Sequence, residues 1–386
     1  MQRISMQKVK LIFLVVAFFL WLPHFLYLYV LTPYVAQLGG SYYFIGVILG
    51  SYGIMQLLFR IPIGVFSDLL NNRKLFIVLG MATSLISCVL YVTFDSMLAI
   101  FMARLLAGVA ASSWVAFTVL YQSYFLQEDV HSAMGSLTFV LVNAQFIGML
   151  CSGIIVEHYG WQMPFLLSVL FSVVGFIFSL FIVEEKQERQ QGVIQFERIS
   201  VVLKEPFLQK MAILSILAHA IIFSTMFGFT SQYALSFGFT KFELSLLVIA
   251  FMLPHALVSL VIGRYIIPKW GSYTSLLFAF FVTFISVLVM PIVTTKLAFL
   301  GIQIVSGLAL GLIFPILLAL ATKNIVSENR ATAMGMYQAV YALGIFIGPF
   351  TSGLINANWG ITYTFYLSAI IALVGMLLIL KWKRSF

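Results

Sequence analysis

The sequence predicts an all-α membrane protein of twelve transmembrane helices, arranged as two pseudo-symmetric six-helix bundles. Three observations carry that prediction. The chain of 386 residues is 62% hydrophobic and 9% charged, with a mean hydropathy of +1.09, far above what a soluble core of this size requires. Apolar runs of the length a hydrocarbon core demands, about 20 residues per helical span, recur from end to end. The second half of the chain also repeats the first at a near-constant offset.

The runs fall at 11–32, 42–66, 75–94, 97–122, 133–156, 162–183, 207–234, 244–266, 273–291, 296–322, 332–356 and 361–380. The first is too long for a signal-peptide core and no small-residue cleavage pattern follows it, so it reads as a retained helix. Cys88 and Cys151 lie inside spans and read as small buried hydrophobes, with no disulfide or redox role.

The net charge of +9 is a topology signal and not a nucleic-acid footprint. With the N-terminus cytoplasmic, every Lys and Arg except Lys241, Lys296 and Arg104 falls at a terminus or in a cytoplasmic connection, Arg60 and Arg264 counted among them. This bias places both termini in the cytoplasm. The one long charged stretch, "VEEKQERQQGVIQFERISVVLKEP" at 183–206, lies between the sixth and seventh spans. It divides the chain into an N-terminal half (1–183), a cytoplasmic linker (184–206) and a C-terminal half (207–386), and its charges read as a solvated surface.

The repeat is specific. Tyr34 and Gly39 align with Tyr233 and Gly238, Gly64 with Gly263, Arg104 with Gln303 and Gly108 with Gly307, all 199 apart. "AMG" at 133–135 aligns with "AMG" at 333–335, and Gly148, Ser152, Gly153 and Gly160 align with Gly348, Ser352, Gly353 and Gly360, all 200 apart.

Glycines are costly in a helix in water but favoured where helices meet in lipid. In "GMYQAVYALGIFIGPFTSG" at 335–353, Tyr337, Tyr341, Gly344 and Gly348 form one stripe, and Pro349 favours a bend. Gly46, Gly50, Gly53, Leu57, Arg60 and Gly64 form a similar stripe on the second span. Both read as sliding or rocking helix contacts, with static packing as the alternative.

Two further tokens stand out. "GVFSDLLNNRK" at 64–74 has a glycine, an aspartate four later and then a basic pair. "RLLAGVAAS" at 104–112 places Arg104 inside the fourth span, with Gly108 one turn on. A guanidinium in lipid demands a partner or a cavity, so Arg104 is a candidate for substrate binding or coupling.

With twelve spans in two similar halves, these tokens resemble the major facilitator superfamily over essentially the whole chain. Gly64, Asp68, Arg73 and Lys74 match the family's signature in the loop between helices two and three. Leu69 replaces a usual basic residue, Asn71 or Asn72 stands where glycine is usual, and the basic pair is one place late. Asn tolerates left-handed backbone, so the turn survives. The resemblance implies a conformational latch, with Asp68 and Arg73 or another loop cation as a breakable charge pair. The second-half copy, "GRYIIPKWG" at 263–271, has Ile267 in place of the aspartate.

Gly335, Gly344, Gly348, Pro349 and Gly353 resemble the family's antiporter signature, expected on the fifth helix but found here on the eleventh. The fifth has Gly135, Ala144, Gly148, Met149 and Gly153, without proline, which weakens the antiport inference.

His24, Asn143, Gln145, His219, His255 and Gln303 are costly in hydrocarbon and are expected to face the interior. The resemblance adds that helices one, four, seven and ten line a central cavity, which favours His24, Arg104, His219 and Gln303; any single one of them reads more readily as a packing hydrogen bond than as a substrate ligand. No acidic residue lies within a span, Glu157 beside His158 coming nearest.

The expected function is therefore secondary active transport of a small molecule by alternating access, most like the drug-efflux branch, with protons as the coupling ion. A nutrient or metabolite importer of the same fold is the alternative within transport, and a non-transporting receptor or scaffold is the alternative outside it. No Walker loop, HExxH or GxSxG occurs, so no enzyme activity, catalytic residue, metal or cofactor is expected. The expected setting is the plasma or inner membrane, as a monomer.

Overall fold

The structure is a computed structural model that describes residues 6–94, 96–126, 129–184, 204–326 and 330–386; most of the expected linker, 185–203, lies outside them, as do Arg3, Asp95, Glu128 and Glu328. The described residues form helices and turns with no strand. In order they are α1 (Met6–Gln37), α2 (Tyr42–Leu69), α3 (Arg73–Thr93), α4 (Met97–Ser112), α5 (Trp114–Gln122), α6 (Val130–Tyr159), α7 (Met163–Leu180), α8 (Pro206–Ser224), α9 (Thr230–Ser236), α10 (Glu243–Val261), α11 (Ile267–Val289), α12 (Lys296–Ala321), α13 (Arg330–Trp359) and α14 (Tyr363–Lys381).

Helix starts follow local chemistry. Asn72 accepts from Leu75 N at 3.0 Å to cap α3, and Ser96 and Thr295 cap α4 and α12 by accepting from Ala99 N and Ala298 N, each at 3.2 Å. Pro206 begins α8, where its missing N–H costs nothing.

Three spans are not simple α-helices. The fourth breaks at Ser113 into α4 and α5, and the seventh carries a π-helical turn, Thr225–Phe229, between α8 and α9. The third exception concerns the count. Eleven helical stretches are long and apolar enough to cross a membrane, and one of them, Glu243–Val289, has 47 residues. At about 1.5 Å per residue it would measure about 70 Å, more than twice a hydrocarbon core of about 30 Å. Gly271, at φ 71 and ψ 163, breaks it, a conformation open to glycine and strained for any other residue. The stretch is thus two spans, the expected eighth and ninth, joined by a short connection that carries Arg264 and Lys269 and begins with a second π-helical turn, Ile262–Ile266.

The repeat is visible in the backbone. Gly39 and Gly238 take φ of 84 and 100, and Gly160 and Gly360 take φ of 86 and 98. The aligned glycines thus make the same left-handed turns at the same helix ends.

The chain forms two compact units, one of Met1–Val30 with Ile54–Gln195 and one of Leu31–Gly53 with Phe196–Phe386. In the first, buried hydroxyls tie helix to helix: Ser87 Oγ donates to Ala103 O (2.6 Å, α3 to α4) and Ser168 Oγ to Pro23 O (3.0 Å, α7 to α1). Gly148 of α6 lies against the backbone of α1, where an added Cβ would stand 3.0 Å from Leu22 O. In the second, both faces of α13 make backbone contacts. A Cβ on Gly348 would lie 2.6 Å from Ala220 Cα of α8, and one on Gly344 would strike Ile216 O. On the other face, a Cβ on Gly46 of α2 would lie 2.7 Å from both Gly353 Cα and Pro349 O. Gly50 and Gly53 continue this contact along Phe346.

Arg60 departs from the sequence reading. Helix α2 runs nine residues past it to Leu69, and Arg60 is 4% exposed; it is an interior residue and not a cation of the cytoplasmic connection. The expected span 42–66 already contained it, and grouping it with the loop cations by its charge misplaced it.

The glycine contacts set a stability contrast. Gly344→Leu, Gly348→Leu or Gly46→Leu forces backbones apart and is expected to cost about 1–3 kcal/mol in detergent-solubilised thermal unfolding. Gly135→Ala adds a Cβ with nothing within 4 Å of it and is expected to be neutral or stabilising. Equal effects at both kinds of site would contradict the packing described.

Candidate substrate and coupling site

In the first unit, α1 and α4 bring His24 and Arg104 into one buried cluster. Each is 1% exposed, and Arg104 is among the largest fully buried side chains. The guanidinium is near enough to His24 and to Tyr91 of α3 to act on both electrostatically. Aromatic rings fill the surroundings. Tyr27 lies tilted against Tyr91 at 4.7 Å, Phe165 lies 5.1 Å from Tyr91, and Trp21 meets Trp114 at 5.2 Å.

The His24 ring is fixed by its own helix, Nδ1–H donating to Leu20 O at 2.6 Å. In the neutral ring this leaves Nε2 as an acceptor, and that buried atom has no hydrogen-bond partner among the described residues. Trp21 Nε1 is likewise buried and unpaired there. Buried polar groups are ordinarily paired, so a cluster of unpaired ones beside a guanidinium has the donor and acceptor chemistry of a binding site.

The other expected residues lie elsewhere. In the second unit, His219 of α8 is half-buried and donates Nδ1–H to Ser215 O at 2.8 Å. Its ring stacks on Tyr341 of α13 at 3.9 Å and 4°, with Phe314 edge-on at 4.8 Å. The Tyr337–Gly348 stripe thus carries an aromatic platform as well as a helix contact. His255 lies 6.0 Å from Phe314. Gln303, the aligned counterpart of Arg104, is 2% exposed and directs Nε2 to Met290 Sδ at 3.7 Å, a packing contact of α12 with the end of α11. Asn143 donates to Phe139 O one turn back at 2.8 Å, and Gln145 is half-buried on the same helix. Glu157 and His158 are exposed at the end of α6. Gly108 is buried in α4, and its carbonyl accepts from Ser112 Oγ at 2.8 Å.

The turn after α2 is a second constellation. Asp68 Oδ1 accepts from Arg73 Nη2 at 2.8 Å, with Asp68 61% exposed. Asn71 takes the left-handed φ of 45 where the resembling loops use glycine. A Cβ on Gly64 would sit 3.4 Å from Val115 Cγ1, ordinary contact with α5.

Sequence reasoning missed Glu184, at the end of α7. Its two carboxylate oxygens accept the backbone N–H groups of Arg73 (2.9 Å) and Lys74 (2.7 Å), while Lys74 Nζ donates to Leu180 O at 2.8 Å. Helix α3 has no acidic residue in its first turn, so its unpaired amides and positive dipole end take a carboxylate from 110 residues away. The empty first turn was the only signal in the sequence.

The sequence model of the Major Facilitator Superfamily matches residues 13–296 and again 231–385. An uncharacterized MFS-type transporter of Methanocaldococcus jannaschii is 24% identical over 368 residues, 92% of this chain and 93% of that one. The inner membrane transport protein YajR of Escherichia coli is 28% identical over 366 residues, 91% of this chain and 78% of its own length. Among solved structures, a bacterial homolog of the human lysosomal transporter Spinster superposes with a TM-score of 0.81 at 11% identity, covering 100% of this chain and 98% of that one. The nucleoside transporter NupG does so with 0.79 at 16%, covering 97% and 98%. These two likenesses speak for the fold alone.

The two charge contacts of the turn differ in weight. Glu184→Gln loses one of two amide bonds to a charged acceptor and is expected to destabilise by about 1.5–3 kcal/mol. Asp68→Asn breaks an exposed pair and is expected to cost under about 1 kcal/mol. Thermal unfolding of the two purified variants checks the order; the reverse order would remove Glu184 from its place as the anchor.

Proposed function

Starting from the fact that the chain belongs to the Major Facilitator Superfamily and is a multi-pass membrane transporter, we propose that it exports small organic molecules, drug-like or metabolic, by alternating access in exchange for protons. One observation carries the reading: Arg104, wholly buried beside His24 and Tyr91 in a span, with polar atoms around it left unpaired. A charge held at that depth is supported by function more readily than by packing. Export and proton exchange rest on the likeness of "GMYQAVYALGIFIGPFTSG" to the family's antiporter signature, here on the eleventh span and not the fifth.

In this reading the halves 1–183 and 207–386 rock about the linker, with both termini cytoplasmic in a plasma or inner membrane, the protein acting as a monomer. Asp68, Arg73 and Lys74 form the latch on Gly64, and Gly108, Gly344, Gly348 and Pro349 are the helix contacts that move. Arg104 binds the substrate by the fork of its guanidinium and is not assigned to the proton's path. The proton passes through His24, His219 or His255, through Glu157, or is released by the substrate. Gln303, Asn143 and Gln145 shape the interior.

Inverted membrane vesicles, screened with a panel of labelled small molecules with and without a proton gradient, test the reading. Uptake that collapses with the gradient is expected. Arg104→Ala is expected to abolish it, and Arg104→Lys, which keeps the charge but loses the planar fork, to lower it more than about tenfold, near 1.4 kcal/mol. Asp68→Asn is expected to slow turnover with normal insertion. Wild-type transport by Arg104→Ala at normal expression would remove Arg104 from the site. Accumulation only in right-side-out vesicles would mean an importer, and no movement of any solute would mean a receptor.

A further inference from the structure

The aligned connections of the two halves treat charge differently. Between α2 and α3, Asp68 bridges Arg73, and Glu184 takes the amides of Arg73 and Lys74. The connection that leads into α11 has Ile267 where the first half has Asp68, and its cations, Arg264 and Lys269, are exposed. Residues 262–273 contain no acidic side chain. Nor does the segment 381–386, "KWKRSF", which adds Lys381, Lys383 and Arg384, all exposed.

The second segment is fastened onto the first. The Phe386 ring stands edge-on to Tyr273 of α11 at 5.6 Å and to Phe207 of α8 at 5.9 Å. Ser385 Oγ accepts from Lys210 Nζ at 2.7 Å, and the Phe386 carbonyl from Lys323 Nζ at 3.3 Å. Lys383 Nζ lies 6.0 Å from the centre of the Tyr273 ring. The start of α11 and the end of α14 therefore share one rim of the second unit, and the exposed cations of both segments collect along it.

Below the rim the two helices lie side by side, since a Cβ on Gly375 of α14 would strike the Phe280 ring of α11. Each turns an apolar stripe outward, Phe278, Phe281 and Ile285 on α11 and Val374 and Leu377 on α14. Trp270 joins stripe to rim: it is 49% exposed and its ring meets Phe278 edge-on at 5.6 Å. An indole above an outward apolar stripe and beside a lysine is the arrangement favoured where hydrocarbon gives way to headgroups. The charge bias that orients a membrane chain accounts for the sign of these residues, but cations scattered over solvated loops would serve it equally.

We infer that this rim is a binding site for an anionic phospholipid. Lys269, Lys381 and Lys383 hold the headgroup phosphate, Trp270 lies beside the glycerol backbone, and the acyl chains run down the stripes of α11 and α14. Ammonium groups give phosphate oxygens charge-assisted hydrogen bonds. Clusters of cations next to a span are suited to anionic headgroups, whereas a zwitterionic headgroup brings a cation of its own, which no acidic side chain of these two segments can pair. The site is separate from the Arg104 cluster and holds whatever the substrate or the direction of transport.

The test places the full chain in nanodiscs of an equal mixture of phosphatidylglycerol and phosphatidylcholine and counts the lipids retained on the released protein by native mass spectrometry. Wild type is expected to retain phosphatidylglycerol over phosphatidylcholine by about tenfold or more, and the double variant Lys269→Gln with Lys383→Gln to fall to within about twofold of parity. Lys8→Gln with Lys10→Gln removes the same charge from the start of α1 and is expected to keep the wild-type preference. Thermal unfolding in pure phosphatidylcholine, expected to be alike in all three proteins, separates lost binding from lost folding. An equal fall in both double variants means attraction by net charge alone and overturns the site, as does a wild type without preference or a rim variant that folds normally and keeps it. Inorganic phosphate that stabilises the protein in pure phosphatidylcholine as much as phosphatidylglycerol does would overturn the lipid as occupant.

Discussion

Hydrocarbon pairs neither a backbone amide nor a charge, and this restriction sets the secondary structure, the helix contacts and the position of function together. Because each backbone group must be satisfied within its own segment, the described chain is helix joined by short turns. Because lipid tails are as apolar as leucine, greasiness cannot pull helices together, and they meet where side chains are missing. Gly348 against Ala220 and Gly46 against Gly353 are such places. Serines do the rest, returning their hydroxyls to carbonyls of their own helix or of a neighbour, as Ser87 does to Ala103.

The same restriction makes each buried charge informative. In water Arg60 and Arg104 would be ordinary surface residues; held within spans, they require an environment arranged around them. The arrangement differs between the aligned halves. Arg104 has Gln303 as its counterpart, which is occupied with Met290, and Asp68 has Ile267. The first unit has kept charged groups at both aligned places where the second has neutral ones. On the opposite side, Lys296 is an exception to the charge bias along the chain, and the structure accounts for it: Glu243 lies 2.6 Å from its Nζ and neutralises it.

Much of this could be read from composition and spacing. Apolar length gave the spans, and the glycine offset marked a repeat whose backbone counterpart is the paired left-handed turns at Gly39 with Gly238 and Gly160 with Gly360. What stayed hidden depends on tertiary distance or on depth. Glu184 meets Arg73 across 111 positions, a spacing with no period to detect. Arg60 lies inside the expected span 42–66, and its charge alone set it among the loop cations; its burial decides the matter. The π-helical turn after Ser224 follows from packing, since no proline or charge marks it.

The break at Gly271 also governs the path of the chain. The connection around it is short and carries Arg264 and Lys269, so there is no length of solvated loop with which to reverse direction. The reversal rests on one backbone conformation that a side chain strains. Two spans thus hang on a single residue's freedom of rotation, and a bulkier residue there sets the strain of the bend against the separation of the spans.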